Sequence, residues 1–250
     1  MTSDIGAAQT EHGCADEPEK ADTDRGEQRL SQDAIINDLP SPFVVEWLPR
    51  VASALEWGPH NRTRAGPDPK RGGPDRTWAG PYKWGGPDKV RPPATAIDLA
   101  MGRGRHAQLL ARAGFRTFGV DVKLDAVREA AARARADSLI VRGWCADLTE
   151  TPLPRGFFDV VLVTRYLQRN LFPAIREMVK AGGIVLYETF TVNQRQLGFG
   201  PTSPDHLLHP DELRQFFEGF EVLFYEEVDA PEAVAHIVAR RSASMRGIRL

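Results

Sequence analysis

Cysteine is scarce in this chain of 250 residues, which has only Cys14 and Cys145. Two cysteines cannot make a disulfide framework, and this pair lacks the spacing of a zinc site. Long apolar runs are missing too, and nothing approaches the roughly 20 residues that a membrane-spanning helix needs. No basic stretch followed by an apolar one opens the sequence, so no secretory signal is expected and a cytoplasmic location is the default. Neither sign of charge is in much excess: 32 Lys and Arg stand against 34 Asp and Glu, a formal net of −2. Bulk attraction to nucleic acid is therefore not favoured. What is present is a globular composition, 42% hydrophobic and 26% charged. The length suits one sizeable domain with tails.

Charge and apolar side chains are unevenly spread. Residues 1–33 hold nine acids against Lys20, Arg25 and Arg29, with almost no large apolar side chains. Such a segment cannot offset the entropy of ordering and reads as a disordered acidic tail. Within 34–57, Phe43, Val44, Trp47, Leu48, Val51 and Leu55 recur at helical spacing, with Pro49 expected to kink or interrupt the helix. Residues 58–93 are rich in Gly and Pro, repeat G-G-P-D at Gly72 and Gly85, and carry eight Arg and Lys against three Asp. They read as a flexible insertion. The interleaved Trp78, Tyr82 and Trp84 leave open a surface for single-stranded nucleic acid.

From 94 to 240 strands and helices alternate. Strands are expected near 95–100, 115–121, 139–144, 158–164 and 184–190. Helices are expected near 104–113, 123–136, 171–181 and 210–218, with Gly182-Gly183 as a stop signal for the third. Two last strands, near 220–227 and 233–240, are too close for a crossover helix and must form a hairpin. The expectation is an α/β, Rossmann-like, doubly wound sheet, mostly parallel, with a C-terminal antiparallel hairpin strand. Residues 241–250 are left as a tail.

The chemistry concentrates in "AIDLAMGRGRHAQLLARAGFRTFGVDV", Ala96 to Val122. Gly102, Gly104 and Ala107 satisfy G-x-G-x-x-A, and Asp121 stands close to the distance at which a dinucleotide fold holds its ribose, so a nicotinamide cofactor is formally allowed. Asp98 argues otherwise. An acid at the end of the first strand repels a pyrophosphate but suits a cationic amine, and S-adenosylmethionine has an ammonium, a sulfonium and no phosphate. Asp121 is expected either to accept from two ribose hydroxyls or to cap the helix after it. Asp147, in "WCADL", stands where a carboxylate accepts from the adenine amine, or it is an ordinary loop acid.

These segments, with "FDVVLVTRYLQRNLF" and "AGGIVLYETF", resemble successive motifs of class I S-adenosylmethionine-dependent methyltransferases. "GPTSPDHLLHPDELRQFF" resembles the tellurite-resistance (TehB-like) branch. The resemblance covers about 40–57 and 94–240. It implies a methyltransferase whose cofactor is S-adenosylmethionine. Asp98, Ala100, Gly102 and Gly104 would enclose the methionine moiety, Asp121 and Val122 would meet the ribose, Asp147 and Leu148 the adenine, and Thr164 would lie beside the cofactor.

The acceptor is expected above the ends of the fourth and fifth strands. That places "TRYLQR" and the 189–209 loop around it, with Arg165, Tyr166 and Arg169 as the residues acting on the acceptor. His106, His206 and His209 are ambiguous between packing and function. A small-molecule acceptor is favoured, an oxyanion or a soft nucleophile. The alternatives are an RNA or protein methyltransferase, or a non-catalytic module that binds S-adenosylmethionine. No membrane partner is expected, and nucleic acid is open but not favoured.

Overall fold

The computed structural model describes residues 38–55 and 93–243. The acidic tail 1–33, the insertion up to residue 92 and the last seven residues lie outside them. From Pro40 onward the described residues belong to one compact unit.

Helix α1, Pro42–Ala54, is followed by β1 (Thr95–Leu99), α2 (Arg105–Arg112), β2 (Arg116–Asp121), α3 (Leu124–Ala136), β3 (Val141–Cys145) and β4 (Phe158–Thr164). Then come α4 (Phe172–Met178), β5 (Val179–Phe190), the short α5 (Glu212–Phe216), β6 (Glu221–Val228) and β7 (Val234–Arg240). The strands form one seven-stranded sheet in the order β3-β2-β1-β4-β5-β7-β6. Pairing is parallel from β3 through β5, while β7 runs antiparallel to both of its neighbours, β5 and β6. The expected doubly wound sheet with its terminal hairpin is therefore the architecture observed.

Central strands β1 and β4 are buried along nearly their whole length, which explains their unbroken apolar runs. Alternate residues serve two cores. On one face Ala96, Leu162, Ile184, Leu186 and Val238 pack under Phe43, Val44, Leu48 and Val51 of α1 and Leu110 of α2. On the other, Ile97, Leu99, Val161, Val163, Val185 and Tyr187 meet Phe172, Ile175 and Met178 of α4. Each fully buried side chain of this size contributes roughly 1.5–3 kcal/mol.

Two local expectations change. Pro49 does not end α1, which runs on to Ala54. Val45 and Pro49 both face solvent, so water can take the carbonyl that a proline leaves without its amide partner. The third helix stops at Met178, and Gly182-Gly183 fall inside β5. Arg241 takes the place of a glycine cap there, its Nη1 donating to the carbonyls of Arg176, Glu177 and Val179. Gly182, at φ +80, lets the strand bend to exchange backbone bonds with Arg241.

Candidate functional site

The strand order reverses between β1 and β4, and open α/β sheets take ligands at such a switch, outside the carboxyl ends of the strands. The chain turns sharply there. Ala100, just past β1, and Arg165, just past β4, both adopt left-handed backbone at φ +53. Non-glycine residues in that region cost about 1–3 kcal/mol each and gather at functional sites. Gly102 follows at φ +52, and a Cβ built on it would meet no atom within 4 Å, so the turn is open on that side. Gly104 at φ +77 enters α2, where a Cβ would come 2.7 Å from Ala130 Cβ. The glycine at 102 keeps a ligand's approach clear, and the one at 104 permits the close crossing of α2 with α3.

Asp98 is 1% exposed, and neither carboxylate oxygen has a hydrogen-bond partner among the described residues. Burial pushes its pKa up to about 7, against the weaker opposing pull of the Ala107 amide, which falls short of bonding geometry, and of the Arg105 charge. A buried carboxyl without partners is costly. An ammonium group brought to the end of β1 would relieve that cost, and this is the clearest sign that the residues present fit S-adenosylmethionine.

Asp121 ends β2 with both oxygens engaged: Oδ2 accepts the Gly102 amide at 2.8 Å and Oδ1 the Lys123 amide at 2.9 Å. It therefore ties the glycine turn to the next strand and also caps the entry to α3. A carboxylate accepts about four hydrogen bonds, so capacity for ribose hydroxyls remains. Val122 beside it is 62% exposed. Asp147 is exposed, and its Oδ1 accepts from both the amide and the hydroxyl of Thr149, which hold its carboxyl below the usual range. Leu148 faces inward and packs in the core. These contacts make Asp147 a turn-former in its own right, whatever else it binds.

Thr164, Arg165 and Tyr166 follow one another off the end of β4. Arg165 donates from its backbone to the Glu188 carbonyl and from Nη2 to Glu232 at 2.6 Å, with its guanidinium 5.7 Å from the centre of the Phe190 ring. Burial raises the pKa of the Tyr166 hydroxyl, and the charges of Asp147 and Asp121 raise it further, so the ring lies within electrostatic reach of both.

Arg169 directs its donors at the neighbouring loop. It grips Glu212 through Nε at 2.6 Å and Nη2 at 2.9 Å, and donates to the carbonyls of Leu207, Asp205 and Pro204. That web fastens the 204–212 segment to the rim. His206 and His209 are exposed, and the His209 amide donates to Glu212.

Sequence reasoning missed a buried polar row. Thr164 of β4 is in register with Glu188 of β5, and Glu188 with His236 of β7. With Asp98 on β1 they share one face of the sheet, where it emerges from under α1 and α2. Glu188 Oε2 accepts from the Ser41 hydroxyl at 2.5 Å and bonds His236 Nε2 at 3.0 Å. Burial opposes its charge, but the bonds to His236 and Ser41 win and hold its pKa low. His106, 1% exposed, stands between Ser41 and Thr164. Only the alternation along β5 could have hinted at Glu188, an acid where the strand's buried face should stay apolar.

Residues 96–183 match a family profile described as a methyltransferase domain. Among solved structures, TehB from Haemophilus influenzae is similar with a TM-score of 0.52 at 17% identity, over 62% of this chain and 59% of that one. An S-adenosylmethionine-dependent methyltransferase from Methanosarcina mazei gives 0.51 at 16%, over 61% and 94%. The [4+2]-cyclase SpnF gives 0.51 at 19%, over 60% and 75%. This chain thus spans well under two thirds of the length of TehB, and likeness at these identities shows the fold alone. No curated relative matches the sequence. The methyltransferase-domain match runs from β1 into β5, on the fold that these neighbours share. Among the described residues no helix is long and apolar enough to cross a membrane.

Proposed function

We propose that this chain transfers the methyl group of S-adenosylmethionine to a small-molecule acceptor bound beyond the end of β4. The observation that carries the cofactor half is Asp98, a buried carboxyl without partners at the end of β1, facing the turn that Gly102 keeps open. In this reading Asp98 meets the ammonium, Asp121 the ribose and Asp147 the adenine amine, with Thr164 at the methyl end. The cofactor supplies an already activated methyl, so alignment of the acceptor is the protein's main task.

Support for a small acceptor comes from the rim. Leu207 and Leu208 are fully buried, Thr191 bridges to Leu208, and Arg169 fastens the loop to Glu212. A mouth held down in this way suits a compact molecule better than a polymer. Arg165 and Tyr166 are the side chains offered to it, and a guanidinium favours an anionic group or oxyanion. The resemblance to the tellurite-resistance branch points to the same acceptor class.

Two measurements test the reading. Calorimetry should show S-adenosylhomocysteine binding and no NAD binding. Methyl-labelled S-adenosylmethionine supplied with fractionated cell extract should label the low-molecular-mass fraction. Label in RNA or protein instead would overturn the small-molecule acceptor, and NAD binding would overturn the cofactor assignment.

A further inference from the structure

Helix α1 lies outside the matched 96–183 domain, yet the residue just before it reaches the strand ends. Ser41 is the N-cap of α1, and a serine there normally bonds back to the helix's own amides, worth about 1 kcal/mol. This one makes no such bond. Its hydroxyl goes to Glu188 and its amide to His106 Nε2, at 2.9 Å. Both donors of the residue are directed at the site.

The tautomer of His106 follows from its neighbours. A backbone N–H only donates, so Nε2 must be bare and accepting. A neutral imidazole then carries its proton on Nδ1, which lies 3.1 Å from Thr164 Oγ1 and donates to it. Burial, helped by the nearby Arg105 charge, pushes the imidazole pKa down to about 3, so the ring is neutral at ordinary pH. With His106 donating, the hydrogen on Thr164 points elsewhere, and among the described residues nothing accepts it.

We infer that Ser41 and His106 are positioning residues that lock the Thr164 hydroxyl as a hydrogen-bond donor at the end of β4, so that the acceptor atom received there presents a lone pair: an oxyanion, a carbonyl oxygen or a thiolate. The inference rests on the methyltransferase reading for what Thr164 meets, but the lock itself does not. A bound amine in its ammonium form, with only hydrogens to offer, would face a donor and be rejected. The direction of the chain is set from outside the matched domain, by one backbone amide.

The experiment has two stages, and the first needs no acceptor. Ser41 has φ −57, which proline shares, so Ser41→Pro deletes the amide donor at a φ it can adopt and sets Cδ against His106 in its place. Ser41→Ala deletes only the hydroxyl. In nitrogen spectra of the full chain labelled at histidine, wild type and Ser41→Ala should show His106 protonated at Nδ1 and bare at Nε2. That pattern should hold across about pH 5–8, where an ordinary histidine titrates. Ser41→Pro should lose it. An Nε2-protonated His106 in wild type, or one spectrum common to all three proteins, overturns the lock.

The second stage uses methyl-labelled S-adenosylmethionine with the low-molecular-mass fraction of cell extract as probe. Thr164→Val should cut label transfer by about tenfold or more, the loss of one hydrogen bond made to the reacting group. Thr164→Ser should restore most of it, with transfer measured at saturating S-adenosylmethionine. Full transfer by Thr164→Val overturns the donor role. A wild type that labels no fraction refutes the methyltransferase reading instead, and the spectra still decide the lock.

Discussion

The Asp121 carboxylate holds the Gly102 amide at 2.8 Å, so the acid that ends β2 fixes the glycine turn that follows β1. The same carboxylate accepts from Lys123 at the start of α3, and three backbone segments are thereby pinned by one side chain. Replacing it removes a hydrogen-bonded charge and loosens the turn together. Asp121→Ala should weaken S-adenosylhomocysteine binding by about 1.5–3 kcal/mol, the range for bonds to a charged group. Calorimetry reads this directly. Affinity equal to wild type would mean that the ribose is held elsewhere.

Asp98 differs: a buried carboxyl without hydrogen-bond partners among the described residues, it destabilises the folded protein when charged. Its pKa rises on folding from 3.8 to about 7 because burial penalises the charged form. Between those values the unfolded chain gives up a proton that the folded chain keeps. The Asp98 contribution is thus undiminished below the unfolded pKa and is lost as pH rises toward the folded one, on the order of 4 kcal/mol in total. Glu188, Asp159 and Glu212 have depressed pKa values and shift stability the other way, so the comparison must be made against a variant. Asp98→Asn should melt higher than wild type at pH 8, by a margin that shrinks toward pH 4, and should bind S-adenosylhomocysteine poorly. A margin independent of pH would contradict the buried-carboxyl assignment.

Ligand binding should move the same proton. An ammonium beside Asp98 favours the carboxylate, so uptake of S-adenosylhomocysteine near pH 6 should release protons and tighten as pH rises toward 7. Calorimetry in buffers of different ionisation enthalpy counts them. 5′-Methylthioadenosine, which has no ammonium, should release none.

The turn between β1 and β2 was legible because its signals are local. Asp98, Gly102, Gly104 and Asp121 lie within one strand–turn–helix–strand passage, where spacing alone dictates placement. The polar row was not legible, because Ser41 meets Glu188 across 147 positions and His106 across 65. Only sheet register and the docking of α1 bring them together. The ion pair of Arg169 was hidden for a related reason: its partner Glu212 lies 43 positions away, and nothing near "TRYLQR" announces it. Gly182-Gly183 misled in turn, because the carbonyls a glycine cap would serve are taken by Arg241 from the far end of the hairpin.

For Arg169 a stability effect is expected in place of a catalytic one. The guanidinium is about one-third exposed while Glu212 is more buried, so the pair is screened only in part. Arg169→Met keeps the stem packing but breaks the fork and leaves Glu212 unpaired. A loss of about 1 kcal/mol or more is expected, with Arg169→Met and Glu212→Gln non-additive in a double-mutant cycle. Additive effects would mean that the two do not act as a unit.

In the proposed reading, Arg165 is the residue that meets an anionic acceptor. It sits in left-handed backbone one step past Thr164, its guanidinium over the Phe190 ring and its Nη2 on Glu232. Glu232 and Arg165 are both largely shielded, so removing the guanidinium leaves a shielded carboxylate behind. Arg165→Met should leave S-adenosylhomocysteine affinity intact and lower methyl transfer at least tenfold, about 1.4 kcal/mol in barrier. Glu232→Gln keeps the guanidinium but removes its ion pair with residue 232, so transfer should fall less and the acceptor's apparent KM should change more than kcat. Parallel losses in the two variants would assign the pair to holding the loop. Unchanged transfer in Arg165→Met would exclude an anion contact at this position.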